Sequence, residues 1–340
     1  GGARRLTPGA GAPPAPAAAA AAPRGAVARW LAVDRERPGA VWRLAAYVAL
    51  VVAAGGVASA VIGPLAAAVY QASGIRVIAF PWITLAAAAL AHLVALRWIE
   101  RRDWDAVGLG RSALAARPLA RGTLVGTLAV GIPALLLLAA GLLRVVDAPG
   151  GGALSADWWR AAGAALLVLA PAALFEELLV RGYPFLVLRE AGGVPVAAGV
   201  TSVVFGVLHL QNPGATWSAV ALVTLAGLFL SAVLVTTRSL WAAFAAHLAW
   251  NWTMAALLHA AVSGLAVDAP GYRVVDAPGA GDDWLTGGAW GPEGGAGAAA
   301  GMLLALGYLW RRHAGGVGAG PHAGDPSSHA RPLGRGSEHA

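Results

Sequence analysis

The chain has 340 residues, 58% of them hydrophobic and only 12% charged, with a mean hydropathy of +0.66, which leaves too little polar surface to coat a soluble globule. Its net charge of +7 comes from arginine without any lysine, and the arginines sit in short loops beside apolar segments; no basic stripe interleaves with aromatics, which argues against a nucleic-acid partner and for contact with anionic lipid. The absence of cysteine excludes disulfides, thiolate catalysis and cysteine zinc sites, so any metal would need His, Asp or Glu.

Residues 1–40 are rich in Ala, Pro, Gly and Arg and read as a disordered cytoplasmic arm, since the alanines between Ala17 and Ala22 are too weakly hydrophobic for a signal-peptide core. Apolar segments long enough to cross a bilayer then follow at 41–70, 77–98 and 124–146. A longer segment, 158–190, is interrupted by Glu176, Glu177 and Arg181 and ends at the Gly192-Gly193 break. Further spans are expected at 194–210, 217–235, 240–262 and 298–310, and residues 313–340 have the composition of a disordered tail. The expected fold is all-α: a polytopic transmembrane helix bundle of about eight spans over 41–312, with a core at about 158–262.

Arg97, Arg101, Arg102, Arg111, Arg117 and Arg121 share one loop, and Arg238, Arg311 and Arg312 fall on the same face. The opposite loops hold Asp147, Asp157, Asp268, Asp276, Asp282 and Asp283, so the positive-inside bias places both termini in the cytoplasm. The abundance of Ala, Gly, Pro and Arg suggests a GC-rich bacterial source and hence the cell membrane. Arg-Val-Val-Asp-Ala-Pro-Gly occurs at 144–150 and 273–279, with a shorter copy at 267–271, and reads as turn-forming low complexity.

A carboxylate at the centre of a membrane helix costs about 2.5–3.5 kcal/mol on insertion scales, so it demands a partner or a purpose. On a helix Glu177 and Arg181 are i and i+4 and can pair, while Glu176 is turned about 100° away and that pairing leaves it unexplained. Phe205 and His209 are likewise i and i+4, as are His247 and Asn251, so three helices each offer a polar face to the bundle interior. Taken singly, each histidine is a helix-joining polar residue. Together, a glutamate, two histidines and an asparagine form a set that acid–base chemistry can use. An antiparallel reversal at Gly192-Gly193 brings Glu176 and His209 to similar depth; His247 lies nearer its own turn and fits less well. His92 and His259 have no matching partner and read as helix-contact or interfacial residues.

The runs Glu176-Glu177-Leu178-Leu179-Val180-Arg181-Gly182, Phe205-Gly206-Val207-Leu208-His209 and His247-Leu248-Ala249-Trp250-Asn251 resemble, in order, the signature motifs of the CAAX prenyl protease and bacteriocin-processing family. The resemblance covers about 158–262. It implies an intramembrane endopeptidase acting on a membrane-tethered peptide or protein, with Glu176 in the catalytic position, Glu177 and Arg181 as its accompanying pair, and His209, His247 and Asn251 as the remaining polar site. A water activated by Glu176 and positioned by His209 would attack the peptide carbonyl, with His247 and Asn251 as oxyanion donors. No cofactor is needed for that chemistry. Zinc held by Glu176, His209 and His247 is the alternative, although no His-Glu-x-x-His run is present. The rivals from other classes are a proton-coupled transporter and a non-catalytic membrane scaffold.

Overall fold

The computed structural model describes residues 25–33, 38–266, 270–278 and 283–318. Residues 267–269 of the third copy of the repeated phrase, the Gly281-Asp282 stretch, residues 1–24 and the tail from 319 onward lie outside the described residues. A short helix α1 (Ala26–Leu31) precedes α2 (Ala40–Ser73) and α3 (Phe80–Val94), which continues as a π-helical turn to Glu100. Helix α4 (Ala116–Ala139) leads into strand β1 (Leu143–Asp147), followed by α5 (Ala156–Arg181), α6 (Tyr183–Leu208), α7 (Trp217–Thr237) and α8 (Leu240–Trp252). Strand β2 (Tyr272–Asp276), the single turn α9 (Asp283–Thr286) and α10 (Ala296–Gly318) complete the order.

The all-α polytopic expectation is thus met: five helical segments, Ala40–Ser73, Phe80–Glu100, Ala116–Ala139, Ala156–Gln211 and Trp217–Thr237, are long and apolar enough to cross a membrane. Their outward faces are apolar, with Val52, Leu135 and Val203 among the exposed side chains, the arrangement expected where the surrounding solvent is hydrocarbon. The remaining helices of the bundle are α8, with Leu240, Ala242, Ala243 and Ala246 fully buried, and α10. Helix α8 sits against α4, α5 and α7 and is the central element.

Small residues set the closest approach. Gly122 and Gly126, four apart on α4, lie against Ala242 and Ala246, four apart on α8; a Cβ on either glycine would come within 2.1 Å of the facing carbonyl oxygen. This is the small-xxx-small seam by which membrane helices gain dispersion contact where no hydrophobic effect drives them together.

Several boundaries differ from the sequence reading. Helix α4 begins at Ala116, so Arg117 and Arg121, expected in the preceding loop, lie on the helix. The span expected over 240–262 is α-helical only to Trp252, before a π-helical turn to Leu258. Residues 143–146, expected to finish the third span, belong to β1, and the repeated Arg-Val-Val-Asp runs are not turns. They pair antiparallel, Leu143 opposite Asp276 and Asp147 opposite Tyr272, because two valines in each run suit an extended ladder better than a turn. The segment 158–190 is also broken earlier than expected: α5 stops at Arg181, Gly182 takes a non-helical ψ of −118°, and α6 restarts with Pro184 in its first turn. Residues 26–31, placed in the disordered arm, form α1.

The break at Gly193 is found as expected, with φ of +83°. The stretch from Tyr183 to this break extends the α5–α6 hairpin at the arginine-rich end. Buried Arg43 at the start of α2 pairs with Glu100 (2.7 Å) and Glu190 (3.0 Å), Arg102 also pairs with Glu190, and the Tyr183 hydroxyl donates to Glu100 (2.7 Å). At the same end the turn before α8 is fastened to the loop after α3: the Leu240 amide donates to the Gly108 carbonyl (2.9 Å), and the Ser239 hydroxyl to that of Ala113 (2.6 Å). The arginine-bearing loops therefore gather at one end of the bundle and the β1–β2 ladder lies at the other.

Candidate active site

Helix α5 delivers Glu177 and Arg181 to the bundle centre on one face, one turn apart, and their side chains are both fully buried. Arg181 Nη1 donates to Glu177 Oε1 at 3.0 Å, and its guanidinium lies 4.1 Å above the Phe205 ring from α6. Burial of such a pair is tolerable only because each charge has its partner, and a lone one would be expensive. The pairing foreseen from the i, i+4 spacing is present.

Glu177 has a second guest. His247 of α8 donates from Nδ1 to the same Oε1 at 2.9 Å, and this fixes the ring. The other edge of the imidazole then faces Glu176, with Nε2 3.6 Å from Oε2, a separation too long for a direct hydrogen bond. Glu176 is 31% exposed, whereas Glu177 is sealed. Neighbours in sequence thus occupy opposite sides of one imidazole: an inner carboxylate that holds it and an outer one that is reachable. The depth mismatch raised by the position of His247 is resolved by the extra length of the α5–α6 hairpin beyond Arg181.

His209 stands at the end of α6, in a short turn from His209 to Gln211. Its Nδ1 donates to the Phe205 carbonyl at 2.8 Å, leaving Nε2 as the ring's acceptor. The Phe205 ring stands between the two histidines, 4.7 Å from His209 and 5.8 Å from His247, ring centre to ring centre. His209, His247 and Asn251 line one cavity of about 40 Å³, together with Phe205, Trp250 and Glu293. That volume admits a water but no peptide. A larger cavity, about 380 Å³, lies at the arginine-rich end and is lined by Arg181, Gly182, Phe185, Arg189, Leu234 and Arg238.

All six residues singled out from sequence are therefore linked, Glu176 through its approach to His247 and His209 through the cavity. Among the described residues no group of three His, Cys, Asp or Glu is placed to hold a metal ion as the side chains stand. Two residues of the cavity wall were missed, Ser263 and Glu293. Glu293 lies in a glycine-rich stretch far along the chain from the motifs, and only its being a lone carboxylate there could have drawn attention.

His92 and His259 serve contacts, as expected. His92 is fully buried on α3, donates from Nδ1 to the Ala88 carbonyl (2.9 Å) and accepts the Tyr183 amide on Nε2 (2.9 Å), pinning the bend at Gly182. His259 donates to the Tyr272 carbonyl (2.9 Å) and stacks on that ring.

The fold and site together define a helical membrane protein with an ionisable cluster at its centre. Residues 158–253 match the family described as Rce1-like, type II CAAX prenyl endopeptidase, and so bear out the resemblance carried by the three motifs. The match begins at the start of α5 and ends just past Asn251, so it contains every one of the six residues but neither Ser263 nor Glu293. No curated protein and no solved structure matches the chain.

Proposed function

We propose that this protein is an intramembrane endopeptidase that hydrolyses a peptide bond of a membrane-associated peptide or protein through a water activated by Glu176. The observation that carries the proposal is the division of labour around His247: Glu177, neutralised by Arg181, fixes the ring through Nδ1, while the exposed Glu176 faces Nε2. A purely structural ion pair accounts for Glu177 and Arg181 and leaves Glu176 without a task.

In the proposed reaction Glu176 takes a proton from water as the water oxygen bonds to the peptide carbonyl carbon. His247, carried as the imidazolium with its Nδ1–H on Glu177, donates from Nε2–H to the oxyanion together with the Asn251 amide, and His209 Nε2 orients the water. Collapse breaks the carbon–nitrogen bond, and the proton held by Glu176 goes to the departing nitrogen. The peptide is presented at the arginine-rich end, where the 380 Å³ cavity is of the size of ligand-binding clefts and is lined by the Arg181 at the root of the site. The membrane supplies the tether, and by the positive-inside bias this end faces the cytoplasm.

The test is cleavage of a pool of membrane-tethered peptides by purified protein in liposomes, comparing wild type, Glu176→Ala and a chelator-treated sample. Cleavage abolished in Glu176→Ala and indifferent to chelator is the expected result. Loss on chelation with recovery on adding zinc would replace the glutamate mechanism by a metal one. Folded wild type that cleaves nothing across a broad pool would turn the reading toward a transporter or scaffold.

A further inference from the structure

The outer wall of the cavity that holds His209, His247 and Asn251 is made by Glu293, from the segment that precedes α10. Three donors converge on its carboxylate. Trp250 Nε1 reaches Oε2 at 2.7 Å, while the Ser263 amide (2.5 Å) and hydroxyl (2.8 Å) both reach Oε1. Ser263 has a φ of +49°, a left-handed conformation that a residue with a side chain keeps only when its surroundings hold it there. They do: besides the two bonds to Glu293, its carbonyl accepts from Asn212 Nδ2 at 3.0 Å, and the following Gly264 amide donates to the Trp290 carbonyl at 3.0 Å.

The partners of this junction are telling. Trp250 immediately precedes Asn251, and Asn212 immediately follows the turn that begins with His209. One carboxylate, with the serine it holds, therefore joins the ends of the two stretches that carry His209 and Asn251.

We infer that Glu293 is a positioning residue, whose carboxylate clasps Trp250 and Ser263 so as to close the outer wall of the cavity and hold His209 and Asn251 in register. The inference rests on the proteolytic reading only in taking the cavity for part of an active site; the closure stands on the geometry alone. A carboxylate is required here because both its oxygens accept. A glutamine has one acceptor oxygen and must turn its NH2 group toward either the indole N–H or Ser263, setting donor against donor.

The experiment is a double-mutant cycle of Glu293→Gln and Trp250→Phe in the full chain, read in two ways. The first is kcat and KM on a cleaved tethered peptide. The second needs no catalysis: a cysteine placed at Ala226, which lines the same cavity, is unique in a chain without cysteine, and its rate of alkylation by a small water-soluble reagent reports closure.

Glu293→Gln is expected to lower kcat about tenfold with a smaller change in KM, and to speed alkylation about tenfold. In the Trp250→Phe background, where the glutamine amide meets no indole donor, the same substitution is expected to add little to either readout. Losses that multiply across the cycle, or alkylation unchanged by Glu293→Gln, would overturn the inference. Should Glu293→Gln fail to fold, Trp250→Phe alone cuts the clasp on the α8 side and is expected to speed alkylation severalfold; a wild-type rate would overturn it. If wild type cleaves no peptide, the proteolytic reading falls, and the alkylation series still decides whether the clasp closes the cavity.

Discussion

His247 lies between two carboxylates that are adjacent in sequence and different in every respect that matters for chemistry. Glu177 is sealed, with both Arg181 and His247 on Oε1 and with Oε2 buried without a hydrogen-bond partner, whereas Glu176 is partly exposed and stands off by 3.6 Å. Substitution should separate them. Glu176→Gln is expected to lower the cleavage rate about 10²- to 10⁴-fold, the usual contribution of a general base, with thermal stability in detergent almost unchanged. Glu177→Gln is expected to do the reverse in emphasis: it strands the buried Arg181 charge and should cost about 3–5 kcal/mol, read from unfolding of the reconstituted protein. Asn251→Ala, which removes an oxyanion donor, should lower kcat about 10²- to 10³-fold and leave KM nearly alone. A fall confined to KM would instead make Asn251 a binding residue. The shared faces of Glu177 with Arg181, Phe205 with His209 and His247 with Asn251 were legible in sequence because the i, i+4 period is a local property. The bridging of both carboxylates by one imidazole was not, since it depends on how far the α5–α6 hairpin overshoots the start of α8.

At the scale of elements, two close approaches hold the site in place. Gly182 lies under His92, and a Cβ there would come within 2.1 Å of Nε2 and 2.6 Å of the Leu178 carbonyl oxygen. Gly182→Ala is therefore expected to lower stability by about 1–3 kcal/mol, as overpacked sites do, and to disturb activity through Arg181 next door; an unchanged melting temperature would show that the bend has slack. Gly126→Val on α4 should displace α8 at Ala246, the residue before His247, and its loss of activity should exceed that of an exposed control such as Leu135→Val. The double glycine at 192–193 announced its break because two such residues together are poor helix formers. The bend at Gly182 was hidden in an apolar run, although a proline two residues on is the usual mark of a helix start. The β1–β2 pair went unread because each strand is only five residues long and its partner lies far away in the chain.

For the whole molecule, the clustering of arginine-bearing loops at one end gives an orientation that can be checked. A single cysteine at Ser112, beside Asp105 in the loop after α3, is expected to react with an impermeant reagent only from the cytoplasmic side, and one at Leu154, before α5, only from the opposite side. Labelling of both from one side would refute the eight-span topology. The five helical segments long and apolar enough to cross a membrane were legible from hydropathy. Glu293 was not legible, because nothing local marks it. It reaches the cavity only once the chain beyond α8 has folded back across the outer end.

The seam between α4 and α8 also bears on what kind of unit the matched stretch is. Residues 158–253 contain the six polar residues, yet α8 is backed along Ala242 and Ala246 by α4, which lies outside that stretch, as do α10 and Glu293. A fragment cut to the match would leave the Ala242 and Ala246 carbonyls facing acyl chains instead of a helix, with the outer cavity wall missing. The stretch is thus a unit of sequence but not a transplantable module, and the helices around it are its scaffold rather than its packaging.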